Sequence, residues 1–189
     1  MGKNERVTKL IVFDMDETLG AFTALSRDLL QLQPHLQNYA LMKHMLDTRP
    51  AYFRPAIMQI LKQVHTAKFF DPSLRIILYT NNSNSQWIMF ILNYINQFLK
   101  LQNPLFDHVL DASQRTTLEK NVADLLHRSN LRPKKNHKYS IFFVDDQYHP
   151  QMIAKDVVYF HITPYKEPNH TDVDPSRMLF QHLKSFING

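Results

Sequence analysis

The chain has 189 residues and a formal net charge of +5, and 44% of its residues are apolar, a composition typical of one globular domain. It contains no cysteine, which excludes thiolate nucleophiles, cysteine-ligated zinc and disulfide scaffolds. Of its three glycines only Gly20 is interior, which excludes the glycine-rich phosphate loops and the G-x-S-x-G nucleophile turn.

Short apolar runs predict strands that are buried on both faces, as in a parallel sheet covered by helices. In chain order the runs are residues 10–13, 76–79, 141–144 and 157–162, with a shorter fifth run at residues 109–110. Three of them end abruptly on a polar residue, at Asp14, Thr80 and Asp145. Because ligands of open α/β sheets bind beyond the carboxyl ends of the strands, we expect these three residues to meet at one edge.

Helical patterns lie between the apolar runs, so the strands and helices alternate. The apolar positions predicted to share a helix face are Ile57, Ile60, Leu61 and Val64; Trp87, Ile91, Tyr94, Ile95 and Phe98; Leu118, Val122, Leu125 and Leu126; and Leu179, Leu183 and Phe186. The last helix is predicted to open at Asp174 and Pro175. The fold class predicted from this order is an open, mainly parallel α/β sheet flanked by helices.

Residues 20–54 depart from the alternation, with helix-like pieces broken by Pro34 and no long apolar strand. We interpret them as a helical excursion from the first strand that returns at Phe53-Arg54-Pro55, where the next core helix starts. The basic segment 132–138 has no apolar position and is predicted to be a loop. No linker or repeat divides the chain, so residues 1–189 are predicted to form a single domain.

The sequence LIVFDMDETLG places two carboxylates, Asp14 and Asp16, directly after the first buried strand. Such a pair suits nucleophilic attack combined with proton transfer, or the capture of a hard cation. A calcium loop begins with the same spacing at Asp14, Asp16 and Thr18. However, Leu19 stands where that loop needs glycine, and Leu25 stands where it needs glutamate. The alternative to a functional carboxylate pair is an acidic turn that only caps a helix.

Lys120 is the predicted basic residue of the site. Thr116 and Glu119 match a capping box, which would place Lys120 in the first turn of a helix. A lysine there opposes the preference of the helix dipole for anions, unless it faces a phosphate. A solvated surface lysine is the alternative, and Lys100 and the lysines of the basic loop are weaker candidates.

Two other features favour packing over function. Trp87 lies in an apolar helical stripe beside Thr80, so core packing is the favoured interpretation and substrate contact the alternative. The ten histidines form no cluster with the spacing of a zinc site.

The ordered motifs resemble those of the haloacid-dehalogenase-like (HAD) phosphohydrolase superfamily over roughly residues 7–165. The apolar strand followed by D-x-D-x-T resembles the first motif of that superfamily, and IILYTNN resembles the second. Lys120 corresponds to the basic residue of the third motif. IFFVDDQ resembles the last motif, whose acidic pair would be Asp145 and Asp146. The resemblance implies a Rossmann-like HAD fold and phosphoryl transfer.

Under this resemblance each residue has an expected role. Asp14 is the nucleophile that forms an aspartyl-phosphate, and Asp16 protonates the leaving oxygen and then deprotonates water. Mg²⁺ is the expected cofactor, bound by Asp14, Asp145 and the main-chain carbonyl of Asp16. Thr80 and its neighbouring amides are expected to hydrogen-bond the phosphoryl oxygens, and Lys120 is expected to be the basic residue of the third motif. The residues expected just outside this set are Thr18, Asn81 and Asp146.

Within the superfamily, DMDETL, Arg54-Pro55 and the DD pair are most similar to the NLI-interacting-factor-like group of RNA polymerase II carboxy-terminal-domain phosphatases. The sequence differs from that group at two places. It has Thr80-Asn81-Asn82 where the group has T-A-S, and Gly20 where the group commonly has an apolar residue. The intervals between the motifs hold no full-sized cap domain, so an uncovered site and a phosphoserine or phosphothreonine protein substrate are expected.

Two other functions remain open. A phosphatase of nucleic-acid ends or small phosphate esters would use the same residues, with the basic loop holding the backbone, although nucleic acid is not the favoured partner. A non-catalytic HAD-like binding module is disfavoured by the intact acids. The polar amino terminus and the lack of a long apolar stretch predict a soluble intracellular protein, in the cytoplasm or nucleus, with no membrane partner.

Overall fold

In the described part of the chain, five parallel strands form one sheet, in which the third, second, first, fourth and fifth strands of the chain lie side by side in that order. This computed structural model describes residues 6–32, 38–131, 137–168 and 175–189. The strands are β1 (Arg6–Phe13), β2 (Leu74–Tyr79), β3 (His108–Leu110), β4 (His137–Asp145) and β5 (Val157–His161). Each of the five apolar runs therefore forms a strand, and the predicted parallel α/β sheet is confirmed.

Six helices and three short 3₁₀ turns surround the sheet in the described residues. The helices are α1 (Phe22–Leu32), α2 (Tyr39–Thr48), α3 (Ile57–Phe70), α4 (Ser85–Phe98), α5 (Val122–Arg128) and α6 (Pro175–Asn188). The 3₁₀ turns are Pro50–Tyr52, Ala112–Gln114 and Pro150–Met152. Within the described ranges, no helix is long and apolar enough to cross a membrane.

Alternate residues of the central strand face opposite sides of the sheet, and both sides are buried. Ile11 and Phe13 of β1 belong to the larger core, which includes buried side chains of α1, α2, α3, α4 and α6. Leu10 and Val12 belong to a smaller core, where Leu125 of α5 packs. Burial on both faces is the reason that the strands appear in the sequence as continuous apolar runs.

The chain comes back beside the turn that follows β1 at Phe53. Gly20 forms an antiparallel bridge with Phe53, and the main-chain nitrogen of Ala21 donates to the carbonyl of Tyr52 at 2.7 Å. The two chain segments are so close that a Cβ atom on Gly20 would lie 2.5 Å from the Tyr52 carbonyl oxygen. Gly20 is therefore required for space, and its φ angle is not positive.

The predicted capping box before α5 is wrong. The helix starts at Val122, and its cap is Asn121, whose side chain accepts a hydrogen bond from the main-chain nitrogen of Asp124 at 2.7 Å. Thr116 instead bonds the Asp124 carboxylate through its main-chain nitrogen and its hydroxyl. Leu118 precedes the helix and is 96% exposed, so it is not part of the apolar face predicted for it.

Two further predictions need correction. Phe98 is mostly exposed at the end of α4, where it stacks on Tyr94 instead of entering the core. Residues 137 and 138, predicted to be loop, belong to β4, because they pair with the first residues of β1. Helix α6 begins at Pro175 as predicted. Pro34, residues 132–136 and Asp174 lie outside the described residues.

Candidate active site

The carboxyl ends of β1, β2 and β4 bring Asp14, Thr80 and Asp145 to one edge of the sheet. Asp14 donates its main-chain N–H to the carbonyl of Val144 at 2.9 Å, and Thr80 donates its own to Leu110 at 2.9 Å. These hydrogen bonds continue the strand pairing by one residue, so the backbone at both residues is held by the sheet. All three side chains are buried.

Lys120 lies at the centre of this edge and is fully buried. Its ammonium donates to Asp14 Oδ1 at 2.5 Å and to Asp145 Oδ2 at 2.6 Å. The rings of Tyr79 and Phe143 lie 5.7 and 5.8 Å from the same nitrogen. The local argument for this lysine was wrong, since Lys120 precedes α5 instead of lying in its first turn.

Three carboxylates converge at the same place. Oxygen atoms of Asp14, Asp145 and Asp146 lie within 4.8 Å of one another, and together they could hold a metal ion. Oxygen donors of this kind suit Mg²⁺, which prefers carboxylates and water over nitrogen or sulfur. Asp146 was expected outside the metal ligands, but its carboxylate reaches the cluster and could be a direct ligand.

The first motif fixes the Asp146 carboxylate. Thr18 donates its hydroxyl to Asp146 Oδ1 at 2.9 Å, and the main-chain nitrogen of Asp146 donates to the same hydroxyl oxygen at 3.1 Å. Both residues are buried. The threonine that ends D-x-D-x-T therefore joins the β1 turn to the β4 turn.

The buried acids are short of positive charge. Burial raises the pKa of Asp14 to about 8, even though Lys120 lowers it, and Asp145 adds a further increase. Burial would also raise the pKa of Asp145, but His149 and Lys120 together hold it below its ordinary value. A hard cation at this cluster would favour the ionised form of Asp14, so the electrostatics fit a metal site.

Asp16 is held apart from this cluster. Its Oδ2 atom accepts a hydrogen bond from the side-chain nitrogen of Asn82 at 3.0 Å. Burial raises the pKa of Asp16 to about 6, although the Asn82 hydrogen bond lowers it. Asn82 is itself fixed, because its main-chain nitrogen donates to Thr80 Oγ1 at 3.1 Å and its Oδ1 accepts from Asn84 at 2.9 Å. Sequence reasoning named Asn81 for the site, whereas Asn82 is the residue that contacts an acid.

Asn81 instead belongs to an exposed polar bridge. Its side-chain nitrogen donates to Gln147 Oε1 at 3.0 Å, and its Oδ1 accepts from Arg115 at 2.7 Å. Asn81 follows β2 and Gln147 follows β4 by two residues, so the bridge joins the strands on either side of β1.

Arg54 fixes the loop that carries the first motif, a role that sequence reasoning did not assign to it. Its guanidinium donates to the carbonyls of Thr18 at 2.7 Å, Glu17 at 2.6 Å and Thr163 at 2.6 Å. Glu17 needs such support, because its φ of 59° lies in the left-handed region. The sequence feature that could have identified Arg54 is the Arg54-Pro55 pair, which lies where the segment 20–54 ends.

His149 is a second residue that the sequence did not single out. It is buried, and its Nε2 lies 3.4 Å from Asp145 Oδ2. That nitrogen makes no hydrogen bond to the residues that the structure describes. The interval of four residues after Asp145 was the only signal in the sequence.

Comparisons with known proteins identify the fold. No protein-family model matches the chain, and no curated protein matches it in sequence. The HAD domain of the effector protein Lem4 from Legionella pneumophila is similar in structure, with a TM-score of 0.54 and 11% identity, covering 97% of each chain. A HAD-superfamily hydrolase of subfamily IA from Geobacter sulfurreducens aligns with a TM-score of 0.40 and 14% identity, over 74% of this chain and 80% of that one. The first likeness shows that this chain has the fold of a HAD domain.

Proposed function

We propose that the protein is a Mg²⁺-dependent phosphatase that forms an aspartyl-phosphate and acts on phosphoserine or phosphothreonine in proteins. The observation that carries the proposal is the position of Lys120, which contacts both Asp14 and Asp145 at the carboxyl end of the central strand. Phosphoryl transfer needs a positioned nucleophile together with positive charge around the transferred group. This arrangement supplies both.

In the proposed reaction Asp14 is the nucleophile and Asp16 is the general acid and base. A carboxylate oxygen of Asp14 forms the new bond to phosphorus while the bond from phosphorus to the leaving oxygen breaks. Asp16 gives its proton to that oxygen, and its raised pKa of about 6 favours the protonated form that this step requires. A water molecule then cleaves the aspartyl-phosphate, with Asp16 accepting the proton of the water.

The other residues hold these two in place. Lys120 fixes the Asp14 carboxylate and offsets its charge, and the side-chain nitrogen of Asn82 holds the Asp16 carboxylate. The carboxylates of Asp14, Asp145 and Asp146, with the main-chain carbonyl of Asp16, would hold the Mg²⁺ ion. When bound, this ion neutralises charge on the phosphoryl oxygens.

The preference for a protein substrate is supported by the size of the excursion. Residues 20–54 contribute only α1, α2 and one 3₁₀ turn within the described residues. An element of this size is smaller than a cap domain that would enclose a small substrate. A phosphorylated side chain on a protein surface is therefore the substrate that this site would accept best.

Hydrolysis of a generic aryl phosphate tests the chemistry. We expect the wild type to release phosphate with Mg²⁺ and to lose that activity with a chelator. Asp14→Asn preserves the shape of the side chain but removes the nucleophile, so it should be inactive, while Asp156→Asn on the exposed turn before β5 should match the wild type. Activity in Asp14→Asn or in chelator would refute the mechanism.

Comparing substrates then tests the specificity. We expect phosphoserine and phosphothreonine peptides to have a higher kcat/KM than oligonucleotides that carry a terminal phosphate. A preference for oligonucleotides would show a nucleic-acid phosphatase, and no turnover of any substrate would show a binding module.

A further inference from the structure

A cavity of about 670 Å³ opens beside Asp16, between α1 and the amino end of α4. One wall is a single face of α1, whose residues lie three or four positions apart along the helix: Phe22, Thr23, Ser26, Arg27, Leu30 and Gln31. The opposite wall consists of Asn82, Asn84 and Trp87. Trp87 is only 4% exposed and packs in the core, as favoured from the sequence, and it also lines this cavity.

The position of Asp16 determines which part of a substrate would enter this cavity. Asp16 and its partner Asn82 both line the cavity, whereas Asp14 and Lys120 are not among its lining residues. If Asp16 protonates the leaving oxygen, the remainder of the leaving group must continue from that oxygen into the same space. This placement of the leaving group rests on the proposed function.

The length of the cavity wall suits a short stretch of peptide. The rise along α1 from Thr23 to Gln31 is about 12 Å at 1.5 Å per residue. An extended peptide advances about 3.3 Å per residue, so about four residues would lie along this face. The first turn of α1 is nearest the acids, since Gly20, just before the helix, is bridged to Asp16.

Arg27 is the charged residue on the α1 wall of the cavity. Of the described residues that line the cavity, only Asp16 and Arg27 carry a charge. The Arg27 side chain is 55% exposed, and its contacts to Asp28 at 3.4 Å and Glu167 at 3.7 Å are long. Exposed pairs of this kind are weak, so a carboxylate that binds the guanidinium with both oxygens can displace them.

We propose that this cavity binds the residues that flank the phosphorylated side chain of a peptide substrate, and that Arg27 selects an acidic residue among them. Arg27 lies one helical turn beyond Thr23, about 6 Å along the axis, which corresponds to about two extended residues. With the phosphorylated residue beside the first turn of α1, next to Asp16, the acidic residue is two or three positions from it. Leu30, which is 53% exposed, offers an apolar contact for the residue beyond it.

A binding experiment with reciprocal charges tests this proposal. The probes are fluorescent phosphoserine peptides with glutamate or lysine two or three positions away, on either side, and anisotropy is measured at low salt with a chelator to prevent turnover. We expect the wild type to bind one glutamate peptide about fivefold more tightly than its lysine counterpart, and Arg27→Glu to reverse that preference. A reversal cannot result from partial unfolding, because an unfolded variant would lose both peptides.

Lys155→Glu is the matched control. Lys155 is exposed in the turn before β5, at the amino edge of the sheet and thus opposite the site, and the substitution makes the same change of charge. It should keep the wild-type preference. Equal affinities in the wild type, no binding of either peptide, or an unchanged preference in Arg27→Glu would overturn the proposal. Because hydrolysis is measured separately, failure of the phosphatase function would appear as absent phosphate release with Mg²⁺.

Discussion

The ammonium of Lys120 lies 2.5 Å from Asp14 Oδ1, although 106 residues separate the two in the chain. The same ammonium contacts Asp145, so one buried cation joins the end of β1 to the end of β4. The carboxylate of Asp146 is also part of this cluster. The stability and the chemistry of this edge of the sheet therefore depend on the same side chain.

Replacing Lys120 with methionine should destabilise the metal-free protein by about 3 kcal/mol, because the variant leaves buried carboxylates without their cation. Mg²⁺ should recover part of this loss by supplying positive charge at the cluster. Urea unfolding with chelator and with Mg²⁺ measures both effects. Lys155→Met, at an exposed position, is the control and should change stability by less than about 0.5 kcal/mol. Equal stability of the two variants would show that Lys120 is not needed to balance the carboxylates.

Arg54→Lys should destabilise the protein by about 2 kcal/mol and lower phosphatase activity. The planar guanidinium donates hydrogen bonds to three carbonyls at once. The lysine side chain is shorter and carries a single nitrogen, so it cannot reproduce that geometry. Thermal unfolding and kcat are the measurements. Arg75→Lys is the matched control, since Arg75 also contacts two carbonyls but at the amino end of β2. If Arg54→Lys behaves like the control, the contacts to Glu17 and Thr18 do not hold the loop.

Substituting Gly20 tests the close approach of the excursion to the Tyr52 carbonyl. A Cβ atom would also lie 2.8 Å from the Phe22 ring, so even Gly20→Ala should cost about 2 kcal/mol, and Gly20→Val should cost more. Gly189→Ala, near the end of the chain, meets its nearest atom at 3.3 Å and should be close to neutral. Denaturant unfolding of the three variants gives the comparison. A neutral Gly20→Ala would mean that the backbone can move apart at low cost.

The rate should depend on pH through Asp16. Because burial raises the pKa of Asp16 to about 6, its protonated fraction falls tenfold for each pH unit above that value. Hydrolysis of an alkyl phosphate, whose leaving oxygen needs a proton, should therefore slow above about pH 6, while an aryl phosphate is affected less. The pH profiles of kcat for both substrates, in wild type and in Asp16→Asn, measure this. An alkaline limb that persists in Asp16→Asn would assign the proton to another group.

Stability of the metal-free protein should fall as pH rises from about 4 to 8. Burial raises the pKa of Asp14 to about 8 and that of Asp16 to about 6, while both have ordinary values near 3.8 when unfolded. The folded state thus keeps protons that the unfolded chain releases, so stability is full below the unfolded pKa and is lost as pH rises through the folded one. Mg²⁺ should bind more tightly over the same range, because it displaces the Asp14 proton.

Unfolding free energies of wild type and Asp14→Asn in chelator, measured at several pH values, test the stability prediction. The difference between the two proteins isolates Asp14 from the other titrating groups. We expect the wild-type curve to decline more steeply with pH. Parallel curves would show that Asp14 keeps an ordinary pKa in the folded state.

The sequence by itself determined the sheet and the acids of its edge. Strands buried on both faces must be apolar at consecutive positions, so β1, β2 and β4 are visible as runs, and the parallel arrangement places Asp14, Thr80 and Asp145 together. The alternation of strands and helices also breaks at residues 20–54, and Phe53 forms a bridge with Gly20 at the end of that segment.

Only the tertiary structure decided which side chains complete the site. Nothing local distinguishes Asn82 from Asn81, and the turn after β2 alone directs Asn82 to Asp16 and Asn81 to Gln147. Lys120 lies before its helix because Asn121 is the cap, so its approach to Asp14 comes from the packing of the loop and not from a helical position. Hydrophobic patterns indicate which residues are buried, because burial depends on the polarity of each residue itself. The contacts of a polar side chain depend on partners that are distant in sequence, and folding alone brings those partners together.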